Sequence, residues 1–475
     1  MKAIFYLFPA LLLAVLTSKA ENNKTDSLQL YDLDEVTITA TKNERNKRDI
    51  PSRISVINSK VIELSSGMQL DDIIRFIPGV NVNRNSGIYS QRPTVTLRGL
   101  SGDEQARTLV LLNGIPINTS DEGGVNWNRI NQYDIEKIEV FKGPGSSLYG
   151  NNAMGGVINL ITKTPQKPQE VYSGVSIGTY NTIRQDLNVR LRTEDGYYGV
   201  LSQHFLKSDG YHHVPEANRT IYDTERYMEA IGVSARLGYD KSKWFNWEMQ
   251  YDIFRDKRSE GMQIFAPDGD HRNFNTNLLR GNIKGGNEKT SYTLSAYYQL
   301  ENYYNLNERM RDENYSRFDV NSDREDLGAL LNVNRQISAS NSITGGFEYK
   351  EGSISGGDYY QTAPYDTIYN AGKITTLAGY IQDEQALFDN KIRLIAGLRF
   401  DRVTFSEGEF YSTDPWETTP ELNDNTWNSV SPRAGIRFNF IKNLSSYISY
   451  SRGFRASILD DLTRTGWMWV GPKLA

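Results

Sequence analysis

Few residues of this chain could carry out chemistry, and the most suggestive are its four histidines. His212 and His213 are adjacent, His271 follows the acidic segment Asp268–Asp270, and His204 stands apart. Neighbouring histidines on a loop could bind a metal ion, but such residues are usually only solvated. No serine–histidine–aspartate arrangement accompanies them. The sequence therefore predicts no catalytic residues, no metal site and no cofactor.

A glycine-rich turn, Gly143–Ser147, is the second candidate, because glycine-rich loops can bind phosphate. Its sequence GPGSS lacks the Gly-Lys-Ser/Thr ending of a phosphate-binding loop, and no helical pattern follows it. The net charge of the chain is −5 and no basic stripe is present, which argues against nucleic-acid binding. The glycines are instead expected to permit a tight turn.

The first 20 residues are typical of a secretory signal. The apolar run Ile4–Leu16 follows Lys2 and precedes the small residues of Thr17–Ala20. At ~1.5 Å per residue this run covers roughly 20 Å, short of the ~30 Å core of a bilayer; a membrane anchor is the alternative. The sequence contains no cysteine, which excludes disulfides and is compatible with passage through an oxidising periplasm.

From about residue 170 apolar residues alternate with polar ones, which is the pattern of β-strands. In segment 392–401, for example, Leu398 and Phe400 share one face, and Arg399 and Asp401 share the other. The segments are about 10 residues or longer and their polar faces carry repeated arginines, which favours a membrane barrel with a polar lumen over a soluble β-sandwich. We count about 13 such segments.

Short motifs cluster between residues 96 and 164. They include the pair RG, the turn NG, the segment IEKIEV, the run GPGSSLYG and the sequence GGVIN. In order and spacing they resemble the plug domain of TonB-dependent outer-membrane receptors. The residues that carry the resemblance are Arg98, Gly99, Asn113, Gly114, Glu136, Glu139, Gly143, Pro144, Tyr149, Gly150, Gly155 and Gly156.

The resemblance implies a transmembrane antiparallel β-barrel of the 22-stranded type, with an N-terminal α/β plug domain inside its lumen. It divides the chain into a signal peptide (1–20), a periplasmic tether (21–41), a plug (42–165) and a partial barrel (170–475). Because about 13 strands stand where ~22 are expected, the sequence is interpreted as a fragment lacking roughly the last 9. Within the plug, local pattern predicts strands at 54–57, 80–82, 94–97, 109–112 and 138–141, and a helix at 71–76.

A β-branched segment stands at the end of the tether. It consists of Asp34, Glu35, Val36, Thr37, Ile38, Thr39, Ala40 and Thr41. It resembles a TonB box, which implies that it binds the periplasmic protein TonB. An extended segment can do so by adding as a strand to the edge of a partner's sheet. The alternative is that it is simply the first strand of the plug.

The resemblance also implies a function. It indicates a monomeric receptor of the Gram-negative outer membrane, embedded in lipid, that imports a scarce nutrient with energy transmitted by TonB. A ferric siderophore is the first expectation for the extracellular ligand, and cobalamin, haem and oligosaccharide stay open. A surface receptor or adhesin that binds without importing is the alternative. A soluble β-rich hydrolase is disfavoured because catalytic motifs are missing.

Two groups of polar residues are expected to act in this setting. Four plug charges are expected to pair with arginines and glutamates of the barrel, although ordinary surface charge is the alternative: Arg98, Arg107, Glu136 and Glu139. The segment 301–321 is expected to be a long extracellular loop that contacts ligand, although its aromatics would equally suit an interface belt. Its candidate ligand contacts are Tyr303, Tyr304, Arg309, Arg311 and Tyr315.

Overall fold

The computed structural model describes most of the chain beyond residue 35. The described residues are 36–37, 42–43, 45–46, 49–65, 67, 69–84, 86–100, 106–363, 365–414, 421–441 and 444–463. The predicted signal, most of the tether and residues 34–35 and 38–41 of the predicted TonB box lie outside them. In this described part, no helix has the length and apolar character needed to cross a membrane.

The N-terminal part forms an α/β domain. Its strands are β1 Val36–Thr37, β2 Arg45–Asn46, β3 Arg53–Asn58, β4 Val80–Asn83, β5 Thr94–Leu97, β6 Thr108–Leu112, β7 Ile115–Pro116, β8 Ile135–Lys142 and β9 Gly156–Thr162. A five-stranded sheet has the order β3-β8-β9-β6-β7, in which β6 and β9 are parallel and the other neighbours antiparallel. Two short antiparallel pairs, β1–β2 and β4–β5, accompany it. We call this domain the plug.

Three short helices complete the plug: α1 Ser59–Leu64, α2 Leu70–Ile74 and α3 Ser146–Tyr149. Single 3-10 turns span Gly87–Tyr89, Trp127–Arg129 and Gln132–Asp134. The Asn58 side chain caps α1 by accepting a hydrogen bond from the backbone N–H of Val61 at 3.2 Å. The predicted strands and the helix α2 are all present, whereas the sequence did not predict α1, α3 or β9.

The plug has one main apolar core, which explains its central strands. All five residues of β6 are buried, because this strand has neighbours on both sides and cover on both faces. Asn113 and Gly114 link β6 to β7 with φ of 53° and 83°, the left-handed values that a two-residue hairpin turn requires. The core residues include Ile62, Leu70, Ile74, Leu97, Val110, Ile138, Val140, Ile158 and Leu160.

A 13-stranded antiparallel sheet follows, in agreement with the strand number predicted from the sequence. Each strand pairs with the next along the chain, so that among the described strands β10 and β22 are the two edges. The strands are β10 Gln169–Gly178, β11 Thr182–Arg192, β12 Tyr197–Tyr211, β13 Arg226–Tyr239, β14 Asn246–Ser259, β15 His271–Gly286, β16 Thr290–Arg311, β17 Asn314–Ser338, β18 Asn341–Tyr360, β19 Asp366–Leu387, β20 Ile392–Ser412, β21 Asn425–Ile441 and β22 Leu444–Ser451. We call this sheet the wall.

The two faces of the wall differ in polarity as the alternation predicted. On β20, Arg399 and Asp401 are fully buried against the plug, whereas Leu398 and Phe400 on the opposite face are each 49% exposed. Other exposed apolar side chains of the outer face include Val175, Leu201, Leu237, Met249, Leu279, Leu294, Leu331, Phe347, Leu377, Ile381 and Val430. The inner face is polar and holds the plug, and the outer face is suited to lipid.

The connections between wall strands are short at one end and longer at the other. Residues 193–196, 240–245, 287–289, 339–340 and 388–391 connect strands at what we call the short-turn end. At the opposite, long-loop end, the connections include 212–225, with the 3-10 turn Glu216–Asn218, and 260–270. In outer-membrane barrels the short turns lie on the periplasmic side and the longer loops on the extracellular side.

The predicted loop 301–321 was wrong. Those residues belong to β16 and β17, which pair without interruption from Thr290–Arg335 to Arg311–Asn314. Only Asp312 and Glu313 form the turn, with φ of 49° and 63°. Two long strands therefore project beyond their neighbours as one hairpin, and the residues expected on a loop are held in strand register.

The lipid-facing assignment of the outer wall face gives a testable prediction. Leu398 lies six residues into β20, and replacing it with arginine is expected to destabilise the full-length protein by about 2–4 kcal/mol, because a charge at the bilayer midplane is poorly solvated. Leu444 is the first residue of β22, at the short-turn end of the wall, where the same change should cost about 0–1 kcal/mol. Urea unfolding from lipid vesicles measures both, and equal costs would contradict a bilayer around this face.

Candidate functional site

The candidate site is the interface between the plug and the inner face of the wall, where buried charges pair across the two units. Its first group, which we call the Arg324 cluster, contains Arg92, Asp121 and Glu122 of the plug with Glu301 and Arg324 of the wall. The guanidinium of Arg324 lies 2.9 Å from Asp121 and 3.2 Å from Glu301. Arg92 also forms an ion pair with Glu301, and it lies 3.0 Å from Glu122. Two loops of the plug are thereby tied to β16 and β17.

The electrostatics of this cluster depend on its arginines. Burial alone would raise the pKa of Asp121, but Arg324 and Arg92 together hold that pKa below its usual value. Two aromatic rings of the wall face the same guanidinium groups: Arg92 lies 4.5 Å from the ring centroid of Phe274, and Arg324 lies 4.7 Å from that of Tyr303. The carboxylate is therefore held in its charged form in a nearly dry environment.

A second group, the Arg236 cluster, joins the plug to β13 and β14. The buried guanidinium of Arg236 lies 3.2 Å from Asp134 of the plug and 3.4 Å from Glu248 of the wall. It also donates to the backbone oxygen of Lys163 at 2.7 Å and to the hydroxyl of Thr162. Burial raises the pKa of Asp134, and Arg236 offsets part of that shift. One arginine thus serves several plug acceptors at once.

The third group, the Arg399 cluster, lies toward the short-turn end. Glu348 is its centre, because it receives Lys42 and Arg399, each at 2.8 Å, and Lys350 at 3.2 Å. Arg399 also pairs with Asp401 at 2.8 Å. Among the described residues, Lys42 is the one cation that the plug contributes to this cluster. Burial lowers the pKa of Lys42, and Glu348 offsets part of that shift. The cluster fixes the start of the plug to β18 and β20.

Lys42 lies between aromatic rings as well. Its ammonium is 4.7 Å from the ring centroid of Tyr149 and 4.3 Å from that of Tyr380. Arg399 donates a hydrogen bond to the backbone oxygen of Leu148 at 3.2 Å. The predicted motif around Tyr149 and Gly150 is therefore where the plug meets the wall, and Gly150, with φ of 68°, has no room for a side chain beside Arg399.

The predicted TonB box is close to this cluster in the chain. Its described residues Val36 and Thr37 form β1, which pairs with β2, so Val36 lies opposite Asn46 and Thr37 opposite Arg45. Arg45 in turn lies 3.0 Å from Glu384 of β19. The segment that follows the box is thus attached to the wall near its short-turn end, where a periplasmic partner would approach.

The attachment of Lys42 gives a second prediction. Replacing Lys42 with methionine removes its ion pair with Glu348 but leaves that carboxylate its partners Arg399 and Lys350, so the wall should stay intact. We expect a cysteine placed at Thr37 to react several-fold faster with a periplasmic maleimide, because the box is no longer held. Lys60→Met, at an exposed position of α1, is the control. Equal labelling of parent and Lys42 variant would argue against this attachment.

The structure disperses the charges that the sequence singled out. Arg98 and Glu136 are exposed, so they do not provide the predicted buried cross-pairs. Glu139 is fully buried, but its ion pair, at 2.8 Å, is with Lys137 of the same strand. Arg107 is half-buried. The charge pairs that the described structure shows between plug and wall involve residues that the motifs did not mark, because a motif match carries no information on which way a side chain points.

The remaining motif residues have structural roles in the plug. Gly156 has φ of 153°, and a side chain there would strike the backbone of Phe141 on the neighbouring strand. Gly155 donates from its backbone N–H to Arg107 at 2.8 Å and accepts from Gly143 at 3.2 Å. The Pro144 backbone oxygen accepts a hydrogen bond from Ser451 of the wall. The glycine-rich turn therefore lies at a plug–wall contact.

The predicted ligand residues of 301–321 separate into inner and outer positions. Tyr303 is buried on the inner face and packs on Phe274, with ring centroids 4.8 Å apart. Tyr315 donates to Glu308 at 2.8 Å, and Tyr304 contacts the ring of His271. The two arginines of the set, Arg309 and Arg311, are exposed near the hairpin tip. Of the five, Tyr303 alone lines the lumen beside the plug in the described structure.

The histidines do not assemble into a site. His204 is half-buried and its Nε2 lies 2.8 Å from the backbone oxygen of Asn128, and His212 lies 3.2 Å from Glu225. Throughout the described ranges, no group of three or more histidine, aspartate or glutamate side chains has an arrangement that could hold a metal ion. Hydrogen bonding and packing account for these residues.

Comparisons with known proteins match the same two parts of the chain, a plug and a β-barrel wall. A model of the TonB-dependent receptor plug domain matches residues 46–157, and a model of the TonB-dependent receptor-like β-barrel matches residues 218–475. The vitamin B12 transporter of Vibrio vulnificus is 32% identical over 168 residues, covering 35% of this chain and 27% of that protein. The ferrioxamine receptor of Yersinia enterocolitica is 25% identical over 472 residues, covering 89% and 64%.

Solved structures with similar folds include two iron transporters. The ferric citrate transporter in its unliganded form superposes with a TM-score of 0.72 at 14% identity, covering 88% of this chain and 65% of that one. The ferric yersiniabactin uptake receptor of Yersinia pestis gives 0.70 at 17% identity, covering 88% and 66%. At such identities the likeness concerns the fold alone. In all four comparisons the chain spans less than two thirds of its relative's length.

Proposed function

Because the chain belongs to the TonB-dependent receptor family, we propose that it forms the plug and part of the wall of an outer-membrane importer driven by TonB. The observation that carries the proposal is the arrangement of its two units. A compact plug packs against the polar inner face of a 13-stranded wall whose outer face is apolar. Such a wall suits lipid outside and water inside, and a plug in that space blocks free diffusion.

The plug–wall interface supports an importer because it can rearrange. Its contacts are ion pairs and hydrogen bonds at the Arg324, Arg236 and Arg399 clusters, so water can replace them one at a time as the plug moves. In the proposed cycle, ligand binds at the long-loop end, TonB binds residues 34–41, and force on this segment first loads Lys42 and Arg45. The ligand crosses without chemical conversion, and the protein acts as a transporter of the outer membrane.

A ferric siderophore is the proposed ligand class. The relative matched over 89% of this chain is named a ferrioxamine receptor, whereas the vitamin B12 transporter of Vibrio vulnificus matches only 35% of it. A cluster of aromatic side chains lies on the inner wall face toward the long-loop end, the region where we propose that a bulky chelate binds once the plug rearranges: Phe274, Tyr303 and Phe318. Cobalamin is the second candidate, and a receptor that binds without importing is the alternative function.

The ligand proposal is tested with the full-length protein in cells that lack other outer-membrane iron receptors. Such cells are given radioactive iron bound to each of a panel of siderophores, and radioactive cobalamin in parallel. Uptake of iron with at least one siderophore and no uptake of cobalamin is the expected result. Uptake of cobalamin alone would show that cobalamin, and not a ferric siderophore, is the ligand. Surface binding without any uptake would favour the alternative function.

A further inference from the structure

The segment 451–463, which follows β22, turns inward and contacts the plug rather than continuing away from the wall. Its contacts with the plug are hydrogen bonds, and most of them are made by backbone groups of the segment. The N–H of Phe454 donates to the hydroxyl of Ser146 at 3.0 Å, and the N–H of Ala456 donates to the Asn151 side chain at 2.8 Å. These contacts hold α3 and the turn after it.

The same segment reaches a second, distant part of the plug. The N–H of Leu459 donates to the backbone oxygen of Ser120 at 3.1 Å, and the N–H of Asp460 donates to the backbone oxygen of Asp121 at 3.0 Å. Ser120 also donates its N–H to Asp326 of β17 at 3.1 Å. Asp121 is the carboxylate that Arg324 holds. The turn 119–122 is therefore bound by the segment 451–463 from one side and by the wall from the other.

The segment is fixed to the wall through an apolar contact. It ends in a short helix, α4 Leu459–Thr463, whose first residue is fully buried. Leu459 and Ala456 pack in one cluster with wall residues from β18, β19 and β20: Ile354, Ile374, Val403 and Phe405. Thr463 also accepts a hydrogen bond from the Asn370 side chain at 3.2 Å. The segment thus binds the wall on one face and the plug on the other.

We propose that the segment 451–463 is a strap that keeps plug residues 119–122 and 144–154 against the wall while the N-terminal part of the plug is pulled out. Force applied at residue 36 loads the contacts between residues 42–52 and the wall one after another along the chain. The strap contacts lie far along the chain and bind two separate plug regions to one helix, so several must break together before the plug leaves the wall. The inference rests on the proposed function only in taking the N-terminus as the point of force.

The chain offers a direct test because it has no cysteine of its own. A Cβ built on Gly453 lies 3.5 Å from the Cβ of Met154, a separation that suits a disulfide between strap and plug. As the matched control, a Cβ on Gly435 of β21 lies 3.3 Å from the Cβ of Pro51, near the start of the plug. The two engineered pairs are Met154→Cys with Gly453→Cys and Pro51→Cys with Gly435→Cys.

The full-length protein in a lipid bilayer is pulled through a peptide handle ahead of residue 36, and the released length is measured. Release up to residue 119 corresponds to about 290 Å, and release of the whole plug to about 450 Å, at ~3.5 Å per residue. We expect about 290 Å or less for the parent and the same length with the 154–453 disulfide, since the strap already holds that region. The 51–435 disulfide should stop release at about 50 Å.

The strap itself is tested by Ser146→Ala combined with Asn151→Ala, which removes its side-chain contacts to α3 and the following turn. Release should then extend toward about 450 Å, and the 154–453 disulfide should limit it to about 410 Å, the span from residue 36 to residue 154 at ~3.5 Å per residue. The proposal would be overturned if the whole plug were released from the parent and the 154–453 disulfide shortened the released length. An unchanged length in the double alanine variant would do the same. Because the handle replaces TonB and no ligand is used, failure of the import function leaves these outcomes unaffected.

Discussion

Deleting residues 34–41 from the full-length protein is expected to abolish energised uptake while leaving binding of ligand at the cell surface unchanged. Uptake should fall to the background of cells that lack TonB, because the deleted segment is the one that would add as a strand to the partner's sheet. The proposed ligand site is at the opposite, long-loop end, so binding there should not depend on this segment. Radioactive iron bound to a siderophore, measured on cells at 0 °C for binding and after warming for uptake, separates the two.

The control for this deletion is an equally long deletion in the upstream tether, residues 24–31. It shortens the chain by the same amount but keeps the β-branched segment, so uptake should persist. If the 34–41 deletion still takes up ligand at the parental rate, the segment is only the first strand of the plug, and the transport account loses its coupling site.

Replacing Arg324 with methionine is expected to destabilise the full-length protein by about 3–5 kcal/mol, because Asp121 and Glu301 would lose one of the two arginines that they share while staying buried. Arg335→Met, at an exposed position of the same strand, is the matched control and should change stability by less than about 0.5 kcal/mol. Unfolding in urea, followed on protein in lipid vesicles, measures both. Equal effects at the two positions would show that the Arg324 cluster does not stabilise the plug on the wall.

The pH dependence of the Arg324 variant provides a second signature. In the parent, Arg324 and Arg92 overcome the effect of burial and keep the pKa of Asp121 low, so its contribution to stability persists above its unfolded pKa and is lost only as pH falls through that low value. Without Arg324, burial should dominate and raise this pKa, so protonation stabilises the variant as pH falls. The stability gap between parent and variant should therefore shrink between pH ~7 and pH ~4. A constant gap would contradict this assignment.

Much of the fold could be predicted because period-2 alternation records a physical constraint. A wall with lipid on one face and a polar plug on the other cannot exchange its faces, so Leu398 and Arg399 on β20 were assigned correctly from sequence alone. The strand number of the wall is confirmed for the same reason. The plug strand β6 was also predicted, because its apolar run ends at Asn113-Gly114, a turn signal that requires no tertiary information.

The hairpin at 301–321 was missed because its composition resembles that of a loop. Both faces of its two strands carry polar residues, so the alternation fades and Asn, Arg and Tyr are frequent. The regular pairing of Tyr303 with Ser322 and of Arg309 with Ser316 is set by the backbone ladder, which the residue types do not reveal. The turn residues Asp312 and Glu313 both have positive φ, but they are not the Asn-Gly or Asp-Gly pair that predicts a tight hairpin from sequence.

The sequence predicted that charge pairs would connect plug and wall, but it did not predict which residues form them. The alternation places Glu301 on a polar face, where a lumen-facing charge is expected, but it assigned no face to Arg324. Their plug partners Arg92 and Asp121 lie on loops, where no periodicity tells which way a side chain points. Only the packing of the plug against the wall brings these residues together, and that is long-range information.

The central claim is that a plug closes this wall and that TonB opens it, and the most direct test is uptake in matched cells with and without TonB. The full-length protein is expressed in both, and the siderophore identified in the panel is supplied with radioactive iron. The account predicts uptake only in cells that contain TonB and an inner-membrane proton gradient, with equal surface binding in all cells. Uptake at the same rate in cells without TonB would contradict it.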